Sequence, residues 1–188
     1  MPIGTDLRPP LTYLTRLPIQ SALTKSPTLE GPRHLHPILD TLCVELLATC
    51  PLRCLHCSAS ASPSRRSLLP QDVVKAGLFA LKSLEEIYFS GGEPFLYPDL
   101  PDLVRVATTV AKHVIVYSSG TFQSFDGLRA IPPDRLRLAA TAGVRRIDVS
   151  FYAANAVEHD AITQAPGSFA STGVAPLRWT LDHWARCP

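Results

Sequence analysis

Three of the five cysteines fall inside the stretch Glu45–Cys57, which reads Glu-Leu-Leu-Ala-Thr-Cys-Pro-Leu-Arg-Cys-Leu-His-Cys. The spacing Cys50-x3-Cys54-x2-Cys57 limits the chain to a few chemistries. The apolar run Leu42–Leu47 leads directly into it, which predicts a buried strand with the thiols on the loop at its carboxyl end. Parallel sheets usually carry their chemistry at that end. A disulfide framework fits poorly, because disulfides belong to oxidising compartments and the amino terminus shows no signal-peptide apolar core. Zinc usually takes four protein ligands, or three and a water, drawn from two separated halves. Three thiolates on one loop with no second half suit a cubane iron-sulfur cluster with one iron left open. Zinc and unliganded thiols remain as alternatives.

A second motif, Gly91-Gly92-Glu93-Pro94, follows the next expected strand. Two adjacent glycines permit backbone angles and close approaches that a side chain forbids, although an ordinary tight turn would use them equally well. Taken in this order, the two motifs resemble the radical S-adenosylmethionine (radical SAM) enzyme family, and the resemblance runs from about Leu42 to Thr172. It implies a [4Fe-4S] cluster ligated by Cys50, Cys54 and Cys57, with S-adenosyl-L-methionine (SAM) on the open iron and reductive cleavage to a 5'-deoxyadenosyl radical that abstracts hydrogen.

The same resemblance assigns Gly91, Gly92, Glu93 and Pro94 to the SAM ammonium. It nominates Ser118, in Ser118-Ser119-Gly120, where many members carry Thr-Asn-Gly. Ser150, in Asp148-Val149-Ser150-Phe151-Tyr152, matches a strand whose serine contacts SAM, and His56 stands where members often place an aromatic near the adenine. Each has another reading: turn chemistry for Ser118, strand alternation for Ser150, a fourth metal ligand for His56. Pro51 replaces a common asparagine, and Arg53 is a cation beside the thiols or simply a solvated loop residue. His159-Asp160 with Gly167-Ser168-Phe169 resembles members that modify ribosomally made peptides or proteins. That implies a peptide or protein substrate and a low-potential electron donor. As catalysts the pair is less convincing, since adjacent helical residues do not face each other.

The resemblance implies an α/β fold, a partial (β/α) barrel with about four of the usual six parallel strand-helix units. Residues 1–40 hold seven of the eighteen prolines and are expected as an extended or partly disordered arm, with 41–188 the core. Within that core we expect strands at Leu42–Leu47, Glu86–Ser90, Val114–Tyr117 and Arg146–Phe151. Cys43 should be a small buried side chain. A helix is expected from Pro70 to about Leu84 with Val74, Leu78 and Leu81 inward. A second should be N-capped by Asp99, bury Leu103, Val106, Ala107 and Val110, and end near His113. Thr121–Pro132 reads as a loop, and Pro133–Ala142 as a helix stopped by Gly143. A further helix near Ser168 would be interrupted by Gly173 and Pro176.

Against the full barrel, the chain reads as truncated at its carboxyl end, leaving an apolar open edge. The rival to an enzyme is therefore a non-catalytic iron-sulfur or zinc module. With 188 residues, 46% hydrophobic composition and a formal charge of +2, the chain has a sizeable core but no broad basic footprint for nucleic acid. No apolar run approaches a membrane span of roughly 18 residues. We therefore expect no nucleic-acid or membrane partner, and a cytoplasmic setting where thiols stay reduced.

Overall fold

The structure is a computed structural model that describes residues 39–81 and 83–172. The proline-rich arm and the interrupted carboxyl-terminal helix fall outside the described residues, apart from the helical start at 168–172. The chain runs β1 (Thr41–Leu47), α1 (Gln71–Phe79), β2 (Leu84–Gly91), a single 3-10 turn (Pro94–Leu96), α2 (Leu100–Ala107) and β3 (Ala111–Ser118). It continues with β4 (Thr121–Ser124), β5 (Gly127–Ala130), α3 (Pro133–Ala142), β6 (Val144–Val149) and α4 (Ala156–Thr163). Strands β1, β2, β3 and β6 form one sheet in that order, and every neighbouring pair is parallel. This is the expected α/β plan of four strand-helix units.

Helices α1, α2 and α3 pack on one sheet face through Val74 and Leu78, Leu103 and Ala107, and Leu136 and Ala139, against Ile87, Phe89, Val114 and Val116. Leu81, the third member of the α1 stripe, packs at the margin of that core. Helix α2 buries Leu100, Leu103, Val104 and Ala107, one face at helical spacing, so Val104 takes the place expected of Val106. Asp99 occupies the N-cap position but its side chain makes no capping bond.

That helix also stops earlier than expected. Thr108 and Thr109 turn their hydroxyls back on the carbonyls of Arg105 and Val106, at 2.8 and 2.7 Å, giving the last turn its partners. His113 accordingly lies inside β3. Likewise α1 ends at Phe79, because Ser83 takes a left-handed φ of 58° and Leu84 already pairs in the next strand, its amide donating to Val110 O at 2.8 Å. Helix α3 keeps both expected limits, Pro133 in its first turn and Gly143 at φ 115° after its last.

Two further expectations give way. The expected loop Thr121–Pro132 contains an antiparallel hairpin, β4–β5, turned at Phe125-Asp126 before Gly127 at φ 116°. Cys43 is exposed, because β1 is an edge strand and Cys43 alternates onto the face away from the helices. That opposite face carries polar and aromatic groups around the buried Ile115: Tyr88 and Tyr117 stack with centroids 4.8 Å apart, and Arg146 pairs with Asp148 at 2.8 Å. None of the described helices is long and apolar enough to cross a membrane.

Candidate functional site

The carboxyl ends of the four parallel strands carry the nominated residues together. Leu47, last in β1, is in register with Gly91, last in β2. At the other side of the sheet, Ser118 at the end of β3 pairs with Val149, and the Ser150 amide donates to Ser118 O at 2.9 Å. The cysteine loop and the diglycine turn thus leave the same end of the sheet, side by side.

They are also bonded to each other. The Gly92 amide donates to Leu47 O at 2.6 Å, and the Glu93 amide donates to Thr49 O at 2.9 Å. Gly91 holds φ 113°, and a Cβ there would stand 2.5 Å from Leu47 O. On Gly92 a Cβ would stand 2.0 Å from Thr49 O. Both glycines are required by the approach of the backbone that opens the cysteine loop.

Glu93 is fully buried and caps the turn Pro94–Leu96 through Phe95 N, which donates at 3.2 Å. Its carboxylate also accepts from Ser118 Oγ at 2.9 Å, Ser119 N at 2.8 Å and Ser119 Oγ at 2.6 Å. Burial pushes this carboxyl above its ordinary range, while the donors from Ser119, Phe95 and Ser118 pull it down. The side chain offered by the sequence as an acceptor therefore accepts from its own protein, tying the end of β2 to the end of β3. Ser118 Oγ is engaged at the same junction and accepts from Gly120 N at 2.9 Å. Pro94 is buried beneath it.

The three thiols share one small packed cluster with Leu52, Ala61 and Ala165. Cys50 is buried, Cys54 and Cys57 are half-buried, and none is in a disulfide among the described residues. Cys54 and Cys57 belong to one turn closed by Cys57 N donating to Cys54 O at 3.2 Å, and the Ala61 amide donates to Cys57 Sγ at 3.3 Å. Burial pushes the Cys50 thiol up to about 12; the Leu52 amide opposes this, whereas Glu93 and the other two thiols add to it. Burial likewise raises Cys54, followed by Cys57. Among the described residues, no three His, Cys, Asp or Glu side chains already stand in ion-holding geometry. The donor set nonetheless fits an iron-sulfur cluster: three free thiols on one loop, mutually unfavourable as bare anions, whose ionisation a bound cation would favour. An open cleft of about 510 Å³ borders Cys54 and Cys57 and is also lined by Arg53 and Ser62.

Two contacts that sequence reasoning missed complete the site. Tyr152, two residues past Ser150, meets the exposed His56 ring edge-on with centroids 4.5 Å apart. Its hydroxyl is raised first by burial and also by all three thiols, while the neighbouring Ser150 side chain lowers it. The Arg53 and Leu55 amides of the cysteine loop donate to Thr163 O and Ile162 O, at 2.9 and 3.0 Å, in the last turn of α4. Tyr152 was legible as part of the Asp-Val-Ser-Phe-Tyr outline, but the α4 contact carries no local sequence signal.

The radical SAM superfamily model matches residues 44–170. Over 139 residues the chain is 33% identical to the AdoMet-dependent heme synthase of Methanosarcina barkeri, covering 71% of this chain and 38% of that protein. It is 32% identical over 145 residues to the PqqA peptide cyclase of Rhodopseudomonas palustris, covering 74% and 35%. With the mycofactocin maturase MftC of Mycobacterium tuberculosis it shares 35% identity over 127 residues, covering 66% and 30%. The aligned region thus takes in less than half the length of each of these relatives. Both motifs lie within the matched region, at the same end of a parallel sheet, and the chain belongs to the radical SAM superfamily.

Proposed function

We propose that this chain is a radical SAM enzyme, or the cluster-bearing part of one, acting on a peptide or protein. Cys50, Cys54 and Cys57 would hold a [4Fe-4S] cluster, Gly91, Gly92, Ser150 and His56 would surround SAM, and the buried Glu93, Pro94 and Ser118 would hold the SAM-binding turn from behind. When bound, the cluster supplies one electron to SAM, whose cleavage yields methionine and a 5'-deoxyadenosyl radical able to abstract hydrogen. The protein's part is positional. The diglycine turn fixes the start of the cysteine loop, Glu93 fixes the turn against β3, and Tyr152 with His56 walls the side nearest β6. A peptide substrate is supported by the likeness to the PqqA peptide cyclase and the mycofactocin maturase. The electron would come from a low-potential donor.

One observation carries this reading: three free thiols on a single loop are bonded through their leading backbone to the diglycine turn at the same sheet end. The test is anaerobic reconstitution of the full chain with iron and sulfide, followed by electron paramagnetic resonance of the reduced protein with and without SAM. A [4Fe-4S] signal perturbed by SAM, and lost on replacing any of the three cysteines by alanine, is the expected result. Four-sulfur zinc, or a cluster indifferent to SAM, would replace the enzyme reading by that of a metal-binding module.

A further inference from the structure

The last turn of an α-helix leaves carbonyls without intrahelical partners. In α4 two of these, on Ile162 and Thr163, accept from the cysteine-loop amides of Leu55 and Arg53. These amides flank Cys54, so the direction in which α4 ends sets where that part of the loop lies. Ala165, immediately beyond the helix, packs in the thiol cluster itself.

The ending of α4 is built with more polar contacts than a surface helix needs. Gln164 turns left-handed at φ 53°, and the chain folds back so that residues 167–169 meet Asp160. The Asp160 carboxylate accepts from Gly167 N at 2.6 Å, Phe169 N at 2.8 Å and Ser168 Oγ at 2.9 Å. Ser168 Oγ also lies 2.7 Å from Thr163 Oγ1 and 3.1 Å from His159 Nδ1. His159, Thr163 and Ser168 are all fully buried. Thr163 is thus held by its hydroxyl to this network while its carbonyl accepts from the cysteine loop.

We infer that this corner, centred on Asp160 and Ser168, positions the cysteine loop, and that these two are positioning residues of the site. The inference deepens the cluster reading and rests on it for its chemical meaning. Neither side chain touches a thiol; both act through the carbonyls of Ile162 and Thr163. The His159-Asp160 pair has this role because both residues converge on Ser168 across the corner, where His159 Nδ1 also stands 3.7 Å from Asp160 Oδ1.

The test uses hydrogen exchange of the metal-free full chain, comparing wild type with Asp160→Asn, Ser168→Ala and Ser168→Thr. In the first two variants, exchange of the Arg53 and Leu55 amides is expected to accelerate about tenfold, the loss of roughly one charge-assisted hydrogen bond. Phe89 and Val116, central in β2 and β3, should keep their wild-type rates, and Ser168→Thr should keep those of the loop. After loading with iron and sulfide, the reduced-cluster resonance should shift in Asp160→Asn and Ser168→Ala and match wild type in Ser168→Thr. Unchanged loop exchange, acceleration spread evenly over β2 and β3, or identical cluster spectra in all four proteins would each overturn the inference. A wild-type chain that takes up no iron would sink the cluster reading instead, leaving the exchange rates to judge the corner.

Discussion

Glu93 and Asp160 perform one task in two places. Each carboxylate gathers backbone amides and serine hydroxyls and so holds a chain reversal beside the cysteine loop. Yet their acidities move in opposite directions. Glu93 is fully buried, and desolvation raises it despite its donors. At Asp160 burial also pushes upward, but the amides of Phe169 and Gly167, the Ser168 hydroxyl and His159 outweigh it, and the carboxyl is lowered. Similar ligation therefore gives a rigid, dehydrated junction between strands in one region and a partly solvated, anionic helix corner in the other. Burial, not the number of donors, decides which.

The largest effect should fall on the Glu93 side. Gly92→Ala places a methyl on the Thr49 carbonyl, 2.0 Å away, where only backbone movement can relieve it. A loss of about 3 kcal/mol or more is expected, read by urea denaturation. Glu93→Ala comes next. It strands the buried hydroxyl of Ser118 and the half-buried donors of Ser119, and should cost about 3 kcal/mol by the same measurement. Asp160→Ala strands the buried Ser168 hydroxyl but leaves the amide of the exposed Gly167 to water, so about 1–2 kcal/mol is expected. Equal losses in the last two variants would break the distinction between a dry junction and a wet corner.

The smallest effects, in pH dependence, sharpen it most. For Glu93 the folded-state pKa is raised, so its contribution is complete below about pH 4 and fades as pH rises through the folded value. Glu93→Gln should gain stability relative to wild type along that rise. For Asp160 the folded pKa is lowered, so its contribution is present above about pH 4 and fades as pH falls through the folded value. Asp160→Asn should lose its deficit against wild type on acidification. Slopes of the same sign in the two variants would show that burial does not separate the two carboxylates.

What the sequence alone determined was local. Cysteine spacing, the diglycine turn and the strand before each are set by residues within a few positions, and Pro133 and Gly143 bound α3 by their own backbone limits. The hairpin β4–β5 reads as a loop in the sequence, because its turn residues Phe125-Asp126 are not an Asp-Gly or Asn-Gly pair and Gly127 falls one position late. Alternation along β1 could not reveal that Cys43 is exposed, because which strand forms the edge is a property of the whole sheet. Only the tertiary structure decided that Glu93 would be spent on Ser118 and Ser119, and that Arg53 and Leu55 would find acceptors at the end of α4. Those bonds join residues far apart in the chain, and buried backbone and carboxyl groups take whatever partners the packing of strands and helices brings within reach.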